Sequence, residues 1–206
     1  MDRTREAQPF LFIGNHPCCD FINTELILDG RRTDLLEVCA DLVAWLVKAK
    51  LLSVDEGKEI EARMGQAEKE RLLKEAKAFR MILREMTDQV VARTAVPRSA
   101  IETINRLLSQ RPGYRQLQRT NGRFGHYFYS TTQGSAQLLA LLAEAAGDLL
   151  CTKDLILVKK CRNQACILYF YDTTKNHTRQ WCSMNLCGNR MKVAAHYRRQ
   201  RKGAKK

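Results

Sequence analysis

Four of the eight cysteines fall in one stretch with the spacing Cys161-x4-Cys166-x15-Cys182-x4-Cys187, and no other feature of the 206-residue chain restricts its fold so tightly. The two pairs have equal internal spacing and are separated by a loop long enough for a hairpin. Four thiolates complete a tetrahedral shell around zinc and leave no position for substrate, so one structural ion is expected here. A segment of about 50 residues buries too little apolar surface to fold alone. Structural zinc contributes about 10–16 kcal/mol near neutral pH, enough to supply the deficit. Buried or disulfide-bonded cysteines are the alternative, but a disulfide framework normally accompanies export. The N-terminus MDRTREAQPFLFIGNHP has no basic region followed by a long apolar stretch. His177 is an alternative to one thiolate, though it falls mid-loop without matching spacing. Cys18, Cys19, Cys39 and Cys151 are scattered among apolar residues and read as small buried hydrophobes.

Charge divides the chain at the same place. Residues 1–152 carry 21 Lys/Arg and 20 Asp/Glu, a net of +1, whereas 153–206 carry 14 Lys/Arg against only Asp154 and Asp172, a net of +12. An excess confined to one segment is the footprint of a polyanion-binding surface, although a solvated tail looks similar. No run of 18 apolar residues exists to span a bilayer. The expectation is a soluble, cytoplasmic protein without a membrane partner.

Apolar residues recur at intervals of three and four through the first 150 positions, which marks amphipathic helices. Thr33 and Asp34 are read as caps for a helix with Leu35, Cys39, Leu42 and Leu46 on one stripe, and Ser53 with Glu56 makes a capping box for the next. Leu72, Ala76, Phe79, Leu83, Met86 and Val90 keep one face apolar along the longest helix. Pro97 opens another carrying Ile101, Ile104 and Leu108. YRQLQRT and RFGHYFYSTT flank Asn121-Gly122, so a β-hairpin is expected at about 114–130. Leu138, Leu142, Ala145 and Leu149 form a last stripe, followed by the β-like run LILVKK. The fold class is therefore α+β: a mainly helical domain with a small β-hairpin over 1–152, then a zinc-bound knuckle, β-hairpin and helix over 153–206.

Within the cysteine segment, ILYFYD has the composition of a strand, and Arg179-Gln180-Trp181 is expected to return antiparallel and bring Cys182 beside Cys166. A helix should follow Cys187. On a 3.6-residue period Cys187, Met191, Ala194 and Tyr197 face the metal and core, while Asn189, Lys192, His196 and Arg199 face outward. Arg190, Arg198, Arg201 and Lys202 add to this basic surface, and Arg179 lies near the first knuckle. Cations of this kind contact phosphates. Asn189, Arg190 and Lys192 at the helix start are the candidates for base edges, since Asn pairs with adenine and Arg with guanine. A hydrogen bond locking the metal loop is the alternative role for Arg190. Tyr169, Phe170 and Tyr171 suit stacking on unpaired bases, or core packing.

Trp181-Cys182-Ser183-Met184 and Cys187-Gly188-Asn189-Arg190, with Lys192 following, resemble the CGNR zinc-finger family. Asp20-Phe21-Ile22-Asn23-Thr24, then Trp45-Leu46 and Leu51-Leu52, resemble the ABATE domain that usually precedes that finger. The resemblance implies a bacterial transcription regulator with a C-terminal, DNA-binding zinc finger.

Asn15, His16, Asp20, Asn23 and Thr24 form the densest polar group near the N-terminus, and line either a pocket for a small effector or a set of helix caps. Three functions compete: a DNA-binding regulator whose helical domain senses an effector or self-associates as a homodimer, an RNA-binding protein, and a protein-interaction module. An enzyme is not expected, because HExxH, GxSxG, a Gly-rich phosphate loop and a dinucleotide fingerprint are all absent from the sequence.

Overall fold

The computed structural model describes residues 10–120, 122–131, 134–194 and 196. The chain enters through a short helix α1 (Pro17–Ile22), which starts because Pro17 is preset for a first turn and the His16 ring accepts the Cys18 amide. An antiparallel hairpin follows, β1 (Glu25–Leu28) and β2 (Arg31–Asp34). This hairpin departs from the helix cap expected at Thr33 and Asp34. Its turn is Asp29-Gly30, with φ of 48° and 79°, the left-handed pair that a two-residue hairpin requires. Asp34 instead ends a strand and accepts two hydrogen bonds from Arg80.

Helix α2 (Cys39–Lys48) begins where the Asp41 carboxylate takes the amides of Glu37 and Val38. Helix α3 (Val54–Arg63) carries the expected Ser53–Glu56 capping box. Helix α4 (Gln66–Ala92) is the longest, and its predicted stripe from Leu72 to Val90 is buried throughout. Helix α5 (Arg98–Leu108) follows Pro97 but is turned from the expected face: Ala100, Ile104 and Leu107 are buried while Ile101 is exposed. Two overlapping stripes share Ile104, and packing against the next helix selects between them. Strands β3 (Gly113–Thr120) and β4 (Arg123–Ser130) form the expected hairpin, with Gly122 in the left-handed region. Helix α6 (Ala136–Thr152) is buried on nearly every side because α1, α4 and α5 all contact it.

A 3-10 turn at Leu155–Leu157 leads into β5 (Val158–Lys160), which pairs with β6 (Tyr169–Tyr171). These strands are not set apart from the helices. Val158 and Tyr169 belong to the main apolar core, while Leu26 packs with Cys161, Leu168, Phe170, Cys182 and Cys187 in a second cluster. The contact is also polar. Asn23 donates to the Tyr169 carbonyl at 2.8 Å and accepts the Tyr169 amide at 2.9 Å. Arg84 on α4 donates to the carbonyls of Ile167 and Ile22, and Tyr169 donates its hydroxyl to Asp88. No helix among the described residues is long and apolar enough to cross a membrane.

Arg80 is buried on α4 with Asp34 and Thr24 as its partners. Replacing Asp34 with Ala leaves that guanidinium without its counter-charge. The substitution is expected to lower the unfolding free energy by about 2–4 kcal/mol, against about 1 kcal/mol for loss of the helix-starting carboxylate in Asp41→Ala. Urea denaturation of the two variants checks the order.

Candidate metal centre

Local hydrogen bonds bring the cysteine pairs together. Cys161 continues β5, its amide bonding the Leu168 carbonyl, and Asn163 then turns the chain by accepting the Ala165 amide and returning the Cys166 amide to its own carbonyl. The second pair is placed by Ser183. Its hydroxyl accepts the Leu186 amide and its carbonyl accepts the amides of Cys187 and Gly188, winding Met184–Gly188 into a single π-type turn. Arg162 N bonds the Gln180 carbonyl, so the segment before Cys182 does return along the first knuckle, although β6 pairs with β5 rather than with 179–181.

The four sulfurs lie within 4.8 Å of one another, and those of Cys166 and Cys182 are 3.8 Å apart. Four Zn–S bonds of about 2.3 Å at tetrahedral angles give S···S edges of about 3.8 Å, so the donor set fits the ion. Two N–H groups support the thiolates, the Cys182 amide at 3.4 Å from Cys161 Sγ and the Asn163 side-chain amide at 3.3 Å from Cys187 Sγ. Crowding sets the proton affinities against one another. Hydrogen bonds from Cys166 and Cys182 pull the Cys161 thiol down, while proximity to Cys161 pushes Cys166 and Cys182 up. Cys161, Cys166 and Cys182 this close cannot all ionise without a cation, and a divalent ion resolves the conflict. Cys161, Cys166, Cys182 and Cys187 thus form a closed site for one structural zinc ion.

The loop between the pairs is held by Asp172, a fully buried carboxylate. It accepts the Lys159 ammonium at 2.6 Å, the Thr174 amide and hydroxyl, and the Arg179 amide. These donors outweigh the cost of burial and hold its pKa far below the usual carboxylate range. Arg179, expected on the nucleic-acid surface, points inward. Its guanidinium bonds the carbonyls of Ile13, Trp181 and Cys182 and stacks at 4.1 Å on Phe170. His177 is not among the clustered ligands: its ring sits 3.2 Å from the Asp172 carbonyl. Tyr169 and Phe170 are buried, which leaves only Tyr171 of that trio partly exposed.

Residues 189–194 and 196 are helical, as expected after the last ligand. Asn189, Arg190, Lys192 and His196 are exposed, and Arg190 has no hydrogen-bond partner among the described residues, so it does not lock the metal loop. Ala194, expected to face inward, is exposed as well, because this helix lies on the surface instead of in the core. Tyr197, Arg198, Arg199, Arg201 and Lys202 lie outside the described residues.

The N-terminal polar group is committed to internal bonds. Asn15 donates to the Tyr171 carbonyl and Thr173, the buried His16 ring contacts Asp148 at 3.0 Å, and Thr24 joins the Phe21 carbonyl to Arg80. Asn23 is the two-way bridge to Tyr169. Asp20 accepts the Gly14 amide at 2.6 Å, and a Cβ at Gly14 would meet Asp20 Oδ1 at 2.9 Å, so only glycine allows the approach. These residues position the entering chain against the metal-bearing segment. Sequence reasoning missed that role, along with Asp88, Arg84 and Asp172.

Chelation of zinc is expected to expose the amides of β5, β6 and the cysteine loops to hydrogen exchange while α4 and α6 stay protected, and Cys182→Ala should do the same without chelator. Burial also pushes Asp20 up to about 6, above its unfolded value, so the folded state holds the extra proton between about pH 4 and 6. Stability from this group is present below that window and is lost as pH rises through it. The stability of Asp20→Asn relative to wild type should therefore increase by on the order of 2 kcal/mol from pH 4 to 7. A flat difference across that range contradicts the assignment.

Comparison with known proteins agrees with the two-part composition. A family model named ABATE, described as "Putative stress-induced transcription regulator", matches residues 15–153, and the CGNR zinc-finger model matches residues 158–200. Neither is an enzyme family. No curated protein matches the chain. With a match over more than half its length and an intact cysteine tetrad behind it, the chain belongs to the ABATE family and carries a CGNR zinc finger.

Proposed function

We propose that the protein is a DNA-binding transcription regulator, cytoplasmic and nucleoid-associated when bound, whose zinc module presents the helix beginning at Asn189 to duplex DNA. The observation that carries this reading is the coupling of the ligand Cys187 to an exposed basic turn: Asn189, Arg190 and Lys192 follow it directly, in a segment of net charge +12. A metal-fixed turn holds the backbone that carries its cations in one geometry, so less backbone entropy is lost on binding phosphate than by a loose tail. Arg198, Arg199, Arg201 and Lys202 supply further charge from the same end of the chain.

In this reading the helical domain senses an effector or mediates self-association, and acts on the finger through α4. From α4, Arg84 and Asp88 hydrogen-bond the module at Ile167, Tyr169 and Lys160. The apolar stripe of α4 is buried in its own domain, so a dimer would form on another face.

Selection from random duplex DNA at near-physiological salt tests the reading. Enrichment of one motif by the intact protein and not by Cys182→Ala supports it, whereas indiscriminate retention by both identifies a non-specific polycation. Within a selected motif, Arg190→Ala is expected to cost about 1–3 kcal/mol at one base position. Lys192→Ala should weaken all sequences alike and reduce the salt slope by about 1. Stronger salt-matched binding to structured RNA than to duplex DNA would favour the RNA-binding alternative.

A further inference from the structure

Strands β3 and β4 form a ribbon exposed on both faces. Every residue of β3 except Gln118 is exposed, as is every residue of β4 except Gly125 and Ser130. The exposed side chains include Leu117 at 59% and Phe124 at 70% of their free surface. A lone two-stranded hairpin is marginally stable in water, and apolar side chains displayed on one mark a contact surface.

The charge of the ribbon is one-sided. Arg115, Arg119 and Arg123 lie in it, and the sequence has no Asp or Glu from position 103 to 143. The register places Arg123 opposite Thr120, on the face that also holds Gln116 and Gln118, while Arg115 and Arg119 pair with Phe128 and Phe124 on the other face. Arg119 lies over the Phe124 ring at 5.7 Å. One face thus sets a cation among uncharged side chains, and the other offers cations beside flat apolar rings.

We propose that β3–β4 is a second DNA contact, a basic ribbon that enters the major groove of a duplex and delivers Arg115, Arg119 and Arg123 to the phosphates. The proposal deepens the DNA-binding reading, on which it rests. The major groove of B-DNA admits a two-stranded ribbon, whereas the major groove of A-form RNA is too deep and narrow. A second copy of the chain is the poorer occupant, because a self-complementary contact sets these arginines against their own copies with no carboxylate in the segment. The ribbon joins the start of α6, and the zinc module follows its end. The intervening α6 has 17 residues and spans roughly 25 Å at about 1.5 Å per residue.

The test compares three proteins on a mixed-sequence duplex of about three turns across a salt series: wild type, R115Q/R119Q/R123Q and R190Q/K192Q. The ribbon variant alters only exposed residues, and unchanged circular dichroism confirms its fold. Its log–log salt slope is expected to fall by about 2–3, at about 0.9 for each phosphate that is no longer neutralised, with affinity at least about tenfold weaker at low salt. If it binds like wild type while R190Q/K192Q is weakened, the ribbon proposal fails and the finger reading stands. If the ribbon variant is weakened and R190Q/K192Q is not, the ribbon proposal stands and the finger reading fails. Absence of duplex binding by wild type overturns both. An unchanged slope with conversion of a dimer to a monomer in light scattering overturns the ribbon as a DNA contact and makes it a self-association surface.

Discussion

A single cluster of four sulfurs holds the two cysteine turns of this protein together. Cys161 and Cys166 come from one turn, and Cys182 and Cys187 from the approach and winding of another, yet all four sulfurs lie within 4.8 Å. Without a cation, the same closeness sets the thiols' proton affinities against one another. The ion turns that conflict into the principal cohesive force of a segment whose excess positive charge otherwise favours expansion. Asp172 and Arg179 complement it by fixing the loop between the pairs. The buried carboxylate ties Lys159 to the Thr174 turn, and the guanidinium gathers the carbonyls of Ile13, Trp181 and Cys182.

The finger does not stand on zinc alone. Leu26 and Leu28 from the first hairpin and Leu11 and Ile13 from the entering chain supply apolar cover for the ligand cysteines. Asn23 closes a two-way backbone bridge at Tyr169, and Arg84 connects the Ile22 and Ile167 carbonyls. Polar groups buried at such a junction need partners of fixed geometry, which makes them specific and makes the two parts one structure. The contrast with β3–β4 is physical: among the described residues its strands pair only with each other, and most of their side chains are exposed.

The metal site is legible in the sequence because its information is local. Spacing within each cysteine pair and a turn between pairs suffice to specify four ligands, and the buried stripe of α4 and the Asn121-Gly122 hairpin are equally local patterns. The first hairpin escapes the same reasoning although Asp29-Gly30 is a strong turn signal, because Thr33 and Asp34 also suit helix capping and the two patterns compete for one stretch. Arg179 and the polar group from Asn15 to Thr24 mislead for a different reason. Each has at least one deciding partner far away in sequence, as with Arg179 and Ile13 or Asn23 and Tyr169, the latter at a separation of 146 residues, and spacing carries no trace of such pairs. One hint is present: Arg80 and Thr87 interrupt the apolar face of α4, and a charge on a core face needs a buried counter-charge.

The bond from the Tyr171 amide to the Gly14 carbonyl joins the beginning of the described chain to its far end. During synthesis the segment around Gly14 is made before β6, and more than 150 further residues must follow it before its partner strand exists. Until then Leu11, Ile13 and Leu26 have no cover, and the helices between them have time to assemble on their own local contacts. Closure of this contact therefore awaits synthesis of β6, so a nascent product halted before β6 would leave these apolar residues uncovered.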